Sequence, residues 1–142
     1  MAGEAVLVYE LEPPIDFNCI DAIAIPKGSL LEIADGAPNL VTVANGDADL
    51  LAGIAAEEKV SGDGKTKISV YLRGVFNVLC EGNVTVGQAW QSGVATGSAN
   101  AIMVAAAGST GAKVGGIGLE TGGDAETFRV LLNIGCNGMA TT

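Results

Sequence analysis

Short apolar runs separated by turn-forming residues are the feature that most constrains how this chain can fold. Between the runs lie segments such as Asp35-Gly36, Asn45-Gly46 and 61–64, whose residues tolerate the positive φ angles needed where strands reverse. This spacing is typical of a small antiparallel β-barrel or sandwich, so we predict an all-β fold. The seven runs occupy residues 30–33, 40–43, 51–56, 68–79, 101–105, 114–119 and 128–134.

The composition agrees with many short strands in one compact unit. Of the 142 residues, 21 are glycine and only 4% are aromatic, which favours tight turns. The best helical candidate, residues 46–56, fits a buried strand nearly as well, because periodicity does not separate short apolar runs. A chain of this length is enough for one core. We therefore predict a single β-barrel domain over residues 25–142.

The charge balance argues against nucleic acid and membrane partners. Sixteen acidic residues against 7 basic ones give a net charge of −9, which repels a phosphate backbone, and the basic residues are scattered. No apolar stretch reaches the ~18 residues of a membrane span. Residues 1–4 lack the basic and apolar regions of a secretion signal. We expect a protein that is made and kept in a cytosol.

The chain also reads as an internal duplication, with halves at about residues 25–79 and 84–134. Each half carries a Gly turn before an apolar strand, then a Gly-Ile strand ending in Glu, then a second apolar strand. We predict two half-barrels that close around one core, the alternative being chance alignment of amphipathic strands. The aligned pairs are 26–31 with 85–90, 53–57 with 116–120, and 67–72 with 127–132.

Residues 1–24 read as an N-terminal arm. Its apolar segment has side chains suited to a pleated surface, and Pro13-Pro14 separates it from the repeats. We predict that the arm adds a strand to the sheet edge of another chain, so that deleting residues 2–12 leaves thermal stability nearly unchanged. The alternative is that the arm is the first strand of the protein's own barrel. The candidate partner-binding residues of the arm are Val6, Leu7, Val8 and Tyr9.

The sequence offers little with which to perform catalysis. It contains no histidine, so the commonest general base and metal ligand is missing, along with every Ser-His or Cys-His arrangement. Gly64-Lys65-Thr66 is similar to the end of a phosphate-binding loop, but that loop requires a glycine where Lys59 stands. We therefore expect neither an enzyme nor a cofactor.

Acidic residues provide two weaker candidates. Asp47 and Asp49 could ligate calcium through carboxylate oxygens, yet the later glutamate of an EF-hand is absent at the required spacing. Glu57-Glu58 and Glu120 could form paired carboxylates for glycoside cleavage, but the duplication already makes Glu57 and Glu120 equivalent strand-end positions. We interpret these carboxylates as turn and surface residues and expect no bound metal.

The three cysteines and the single tryptophan are the remaining candidates for a functional role. Cys19, Cys80 and Cys136 are odd in number and widely spaced, which favours reduced, buried thiols over disulfides or zinc ligands. Trp90 is the lone tryptophan, and such a residue belongs in a core or at a subunit interface. We include Trp90 among the candidate partner-binding residues.

Several segments resemble the capsid decoration, or cement, proteins of tailed bacteriophages. The likeness covers about residues 25–134 and departs from the usual pattern at the N-terminus, where residues 6–19 are longer than the expected lead-in. The segments are Leu51-Ala52-Gly53-Ile54-Ala55-Ala56-Glu57, 68–78 with its Gly-Val-Phe, Val84-Thr85-Val86-Gly87-Gln88-Ala89-Trp90, Gly116-Ile117-Gly118 and 130–133.

This resemblance implies a structural virion protein rather than an enzyme. Its partners would be the major capsid protein and neighbouring copies of itself, for example in a trimer. It would bind the outside of a preformed capsid and stabilise the shell against internal DNA pressure. The alternative is a carbohydrate-binding or tail-associated adhesion module, which binding to shells or to glycans would separate.

Overall fold

The computed structural model describes residues 3–94, 100–106 and 113–134. Within these residues the chain forms eleven β-strands. The prediction of an all-β fold built on small barrels is confirmed. The strands are β1 (Val6–Glu10), β2 (Ile15–Asn18), β3 (Leu30–Ala34), β4 (Leu40–Val43), β5 (Leu51–Ala55), β6 (Lys67–Tyr71), β7 (Arg73–Cys80), β8 (Ala89–Ser92), β9 (Ala101–Val104), β10 (Gly116–Gly118) and β11 (Thr127–Asn133).

Strands β2 to β6 close into a first barrel in the order β2-β4-β3-β5-β6. All neighbours are antiparallel except β2 and β4, which run parallel and close the ring where Asn18 pairs with Leu40. Alternate side chains point inward and form a small aliphatic core. That core contains Cys19, Ile25, Leu31, Val41, Ala52, Ala55, Ile68 and Val70.

Strands β7 to β11 form a second barrel with the same topology. A parallel pairing of β7 with β9 closes the ring β7-β11-β10-β8-β9. Every pairing in the first barrel has a counterpart of the same direction in the second, with β2 matching β7, β3 matching β8, β4 matching β9, β5 matching β10 and β6 matching β11. The two rings are therefore structural repeats.

The backbone hydrogen bonds of the repeats agree residue by residue. The Gly28 N–H donates to the Ala55 carbonyl at 2.9 Å, and the Gly87 N–H donates to the Gly118 carbonyl at 2.8 Å. Both donor glycines have positive φ angles, at 80° and 86°. The segments aligned from sequence occupy matching places in the two barrels.

The repeats differ from the predicted half-barrels. Each repeat closes a complete ring, and the two barrels pack against each other. The boundaries also shift, because β2 lies within residues 1–24 yet belongs to the first barrel, and β7 lies in the predicted first half yet belongs to the second. Each ring needs five strands. The apolar runs of the sequence mark only four in each ring, without β2 in the first and without β8 in the second.

Strand β1 belongs to this chain's own fold. It pairs antiparallel with β7, from Val6 opposite Asn77 to Glu10 opposite Gly74, with a bulge before Tyr9. The prediction of an arm that pairs with another chain is therefore wrong. Strand β1 pairs within its own chain, but it lies beside the ring of the second barrel and is not a member of it. The proline pair separates β1 from β2 because the chain there passes from one barrel to the other.

The two barrels meet in a defined way. Outward side chains of β3 and β5 in the first barrel, namely Leu30, Leu51 and Ile54, join the apolar cluster that fills the second barrel. They cover the end at which β7 begins and β8 ends, which we call the lower end. Tyr71 packs edge-on against Phe76 there, with ring centroids 5.6 Å apart.

The side-chain amide of Asn100 stabilises the contact between the two barrels. The side-chain oxygen of Asn100, at the lower end of the second barrel, accepts a hydrogen bond from the Leu30 N–H at 2.8 Å. Its nitrogen donates to the carbonyls of Gly28 at 2.7 Å and Gly3 at 2.8 Å. Asn100 is buried, so these bonds satisfy a polar group that would otherwise be costly.

Candidate functional site

The structure separates the five predicted partner-binding residues. Val6 and Tyr9 are exposed on β1, Val8 is half-buried, and Leu7 packs against the core of the second barrel. Trp90 is fully buried. These residues therefore do not form one surface.

Trp90 belongs to the interior of the second barrel, so its assignment to a partner-binding surface is wrong. Its indole Nε1–H donates to the Leu131 carbonyl at 3.0 Å. Gly115 leaves room for the ring, because a β-carbon at that position would overlap it. This lone tryptophan is the largest core side chain of the barrel, which agrees with the predicted alternative of a core position.

The acidic candidates stabilise turns and strand ends. Glu57 accepts a hydrogen bond from the Ser69 N–H, and Glu120 accepts one from the Arg129 N–H at the matching place. The carboxylate of Asp49 accepts the Gly46 N–H at 2.9 Å. Across residues 3–94, 100–106 and 113–134, no three His, Cys, Asp or Glu residues are grouped to hold a metal ion.

The segment Gly64-Lys65-Thr66 lies in an exposed turn. The Gly64 N–H donates to the Asp21 carboxylate at 2.7 Å, and the Lys65 N–H donates to Asp63 at 2.9 Å. These backbone donors are thus directed at carboxylates of the same chain. A shallow groove of about 480 Å³ lies beside the turn, and its lining is of mixed charge: Asp16, Glu57, Lys65, Thr66, Lys67 and Ser69.

Two of the three cysteines lie at equivalent positions. Cys19 follows β2 and Cys80 ends β7, and both are buried free thiols. Burial raises the pKa of each thiol above its ordinary value. Cys136 lies outside the described residues. Low thiolate character makes Cys19 and Cys80 core residues rather than nucleophiles.

A candidate binding surface lies at the upper end of the first barrel. The lower end of this barrel is the matching one, where β2 begins and β3 ends. The loops β2–β3 and β5–β6 meet there and expose Ile20, Ile23 and Val60, which we call the tip. Exposed apolar side chains clustered on ordered loops are typical of sites that bind another macromolecule.

A buried lysine holds the two loops of the tip together. The Lys59 side chain is only 1% exposed. Its ammonium donates to the Asp21 carbonyl at 2.8 Å, to the Val60 carbonyl at 3.0 Å and to the Asp63 carboxylate at 3.0 Å, with the Asp21 carboxylate at 3.3 Å. Asp21 lies in one loop, and Val60 and Asp63 lie in the other.

The electrostatics of this cluster favour the charged forms. Burial alone would lower the pKa of Lys59, but its hydrogen bonds to Asp63 and Asp21 outweigh that effect and raise the pKa. The Lys65 N–H and the Lys59 ammonium lower the pKa of Asp63 to about 2. The tip therefore keeps this brace across the physiological pH range.

Replacing Lys59 by methionine is expected to lower the melting temperature and loosen the tip. The change keeps the apolar stem but removes one charged donor from two backbone carbonyls and from two carboxylates, which retain only their backbone N–H donors. Lys65→Met is the matched control, because Lys65 is exposed in the same loop and should melt close to the unsubstituted chain. Equal melting temperatures for the two variants, followed by circular dichroism, would contradict the proposed brace.

The carboxyl pair formed by Glu32 and Asp49 predicts a pH dependence of stability. Burial and a hydrogen bond with Asp49 raise the pKa of Glu32 to about 7, from 4.5 in the unfolded chain. The folded protein thus holds a proton that the unfolded chain releases, so this stabilisation is complete below pH 4.5 and is lost as the pH rises through 7. The matching residue in the second barrel is Gln91, already an amide.

We expect Glu32→Gln to stabilise the protein at pH 8 but to have little effect at pH 4.5. The gain should be on the order of 1 kcal/mol, since solvent screening reduces the full value of the shift. Urea unfolding of both proteins at the two pH values measures it. Glu58→Gln, at an exposed position, is the control. A gain of equal size at both pH values would contradict the raised pKa of Glu32.

Comparison with known proteins was made on sequence and on structure. No family model matches the sequence, and no curated protein matches it. One solved structure of similar fold is the head fiber gp8.5 N base in bacteriophage phi29, at a TM-score of 0.56. The two chains are 14% identical, and the similarity covers 84% of this chain and 92% of that one. At this identity the likeness is one of fold.

Among the described residues, no helix is long and apolar enough to cross a membrane.

Proposed function

We propose that this chain is a non-enzymatic structural protein of a bacteriophage virion, bound to the outside of the capsid. The observation that carries the proposal is the similarity of nearly the whole tandem of barrels to the base of a phage head fibre. We propose that the shared architecture serves here to attach the chain to the head. The sequence resemblance to capsid decoration proteins supports the same class independently.

We propose the tip as the surface that contacts the major capsid protein. Ile20, Ile23 and Val60 present apolar area, and the Lys59 cluster fixes the loops that carry them. A surface held in place before binding loses little conformational entropy on binding, which favours affinity. Many copies on one shell would add the stabilisation against internal pressure that decoration proteins provide.

Co-sedimentation with shells tests this proposal. The purified chain is mixed with capsids of the phage that encodes it, pelleted and quantified. We expect saturable binding that Val60→Asp reduces at least about tenfold, because the charge would have to be desolvated in an apolar contact. Val86→Asp, an exposed loop position on the second barrel, is the matched control and should bind normally.

Three outcomes have a definite meaning. Absence of binding to shells at any concentration would overturn the proposal. Binding to cell-surface glycans in place of shells would support the alternative of an adhesion module. Binding that is unaffected by Val60→Asp would overturn the tip as the contact while leaving shell attachment intact. Particles with and without the chain, heated while DNA release is followed, would test the stabilising role.

A further inference from the structure

Equivalent outer faces of the two barrels differ in how far they are exposed. The outer face of the first barrel is covered by the second barrel, whereas the matching outer face of the second barrel is open. Ile54 on β5 is 0% exposed, and its counterpart Ile117 on β10 is 40% exposed. The register of β5 with β3 and of β10 with β8 establishes that the two isoleucines are equivalent.

At the lower ends the difference in exposure is reversed: the second barrel is covered there and the first barrel is exposed. At the lower end of the second barrel Phe76 and Ser92 are buried under the first barrel. Their counterparts at the lower end of the first barrel are Ile15 and Ile33, which are 49% and 45% exposed. Both are large and apolar, and no part of the described chain buries them as the first barrel buries Phe76 and Ser92.

The amide that fastens the internal contact also has a counterpart. Asn100 immediately precedes β9, and Asn39 immediately precedes β4 at the matching lower end of the first barrel. Asn39 is exposed and has a positive φ of 55°. The position equivalent to Leu30, whose N–H the Asn100 side chain binds, is Ala89 on the open face of the second barrel.

We infer that copies of this chain associate head to tail through a repetition of the contact between their own barrels. The open face around Ala89 and Ile117 of one copy packs on the lower end of the first barrel of the next copy, around Ile15, Ile33 and Asn39. Each half of this contact matches a half that is already buried within the chain, and every copy carries both halves.

The equivalence of the two barrels identifies a second copy of this chain as the binding partner. The internal interface shows which surface fits a lower end: a barrel face with an isoleucine on the fifth-strand position and a backbone N–H within reach of the asparagine. A second copy presents that combination on its second barrel. A heterologous contact of this kind closes into a ring or continues as a chain of copies, depending on the rotation it imposes.

This inference extends the proposed virion role, since a shell component acts in many copies, but its test contains no shells. Failure to bind capsids would therefore leave it standing, and failure to self-associate would leave capsid binding standing. The experiment is sedimentation velocity across a wide range of concentration on the full chain and on four variants, with folding verified by circular dichroism.

We expect the unsubstituted chain to form concentration-dependent oligomers. Ile117→Asp and Ile33→Asp should each remain monomeric, because each destroys one half of the contact. An equimolar mixture of these two variants should form a heterodimer and nothing larger, since one intact half remains on each. Lys65→Asp, exposed in the β5–β6 loop at the upper end of the first barrel and outside both surfaces, should associate like the unsubstituted chain.

The mixture distinguishes a head-to-tail contact from the alternatives. A chain that stays monomeric at all concentrations would overturn the inference, and so would variants that associate as strongly as the unsubstituted chain. Loss of association in Ile117→Asp with no recovery on mixing would also overturn it, because a self-complementary contact behaves in that way. Asn39→Ala should weaken association several-fold without preventing it.

Discussion

Replacing Gly116 by alanine is expected to prevent the second barrel from closing. Gly116 has a φ of 155°, a conformation that L-residues rarely adopt. A β-carbon there would also overlap the backbone carbonyl of Leu131 on the paired strand, which has no freedom to move aside. Backbone strain and overpacking together cost roughly 2–6 kcal/mol, a large share of the stability of a small domain.

The matching glycine of the first barrel gives an internal test. Gly53 has a φ of 148°, and a β-carbon there would overlap the Tyr71 carbonyl. Gly53→Ala should therefore be nearly as damaging as Gly116→Ala. Gly62→Ala is the control, because that φ is 74° but the surrounding space is open, so only about 1 kcal/mol of backbone strain is expected. Equal denaturation midpoints for all three variants would contradict the account.

Deleting residues 2–12 is expected to lower the melting temperature by roughly 10 °C or more, or to cause aggregation. The deletion removes the β1 ladder, worth about 0.5–1.5 kcal/mol per hydrogen bond, and the burial of Ala5 and Leu7. It also exposes the edge of β7, which invites pairing with other chains. This outcome is opposite to the one predicted from the sequence, because β1 pairs within its own chain.

A milder variant separates loss of the strand from loss of the core. Val6→Thr changes an exposed side chain of β1 and should leave the melting temperature within a few degrees of the original. Leu7→Ala removes apolar contacts with the second barrel and should be clearly more destabilising. A truncated chain that melts like the full-length protein would mean that β1 is dispensable for folding.

The strands and the duplication were accessible from sequence because they depend on local chemistry. Turn pairs such as Asp35-Gly36 mark where strands reverse, and alternating apolar residues mark which face is buried. The glycines at positions 28 and 87 reveal the repeat, since both begin a strand from a positive φ. These signals need no knowledge of distant contacts.

Features that depend on distant contacts were not accessible. The parallel closure of β2 on β4 joins segments that no local pattern connects, so the sequence alone predicts half of a barrel for each repeat. Pro13-Pro14 reads equally as the end of a free arm or as a passage between two barrels. Lys59 stands before a Gly-rich turn and looks exposed, although carbonyls and carboxylates from two loops surround it. A buried cation of this kind is visible only once both loops are placed.

Electron cryomicroscopy of the phage that encodes this chain tests the account most directly. Particles from the original phage and from a strain with this gene deleted would be reconstructed and compared. We predict density for paired five-stranded barrels on the outer surface of the head, present only in the original particles, with the tip directed at the major capsid protein. Identical heads in the two reconstructions, or matching density confined to the tail, would contradict the assignment to the capsid surface.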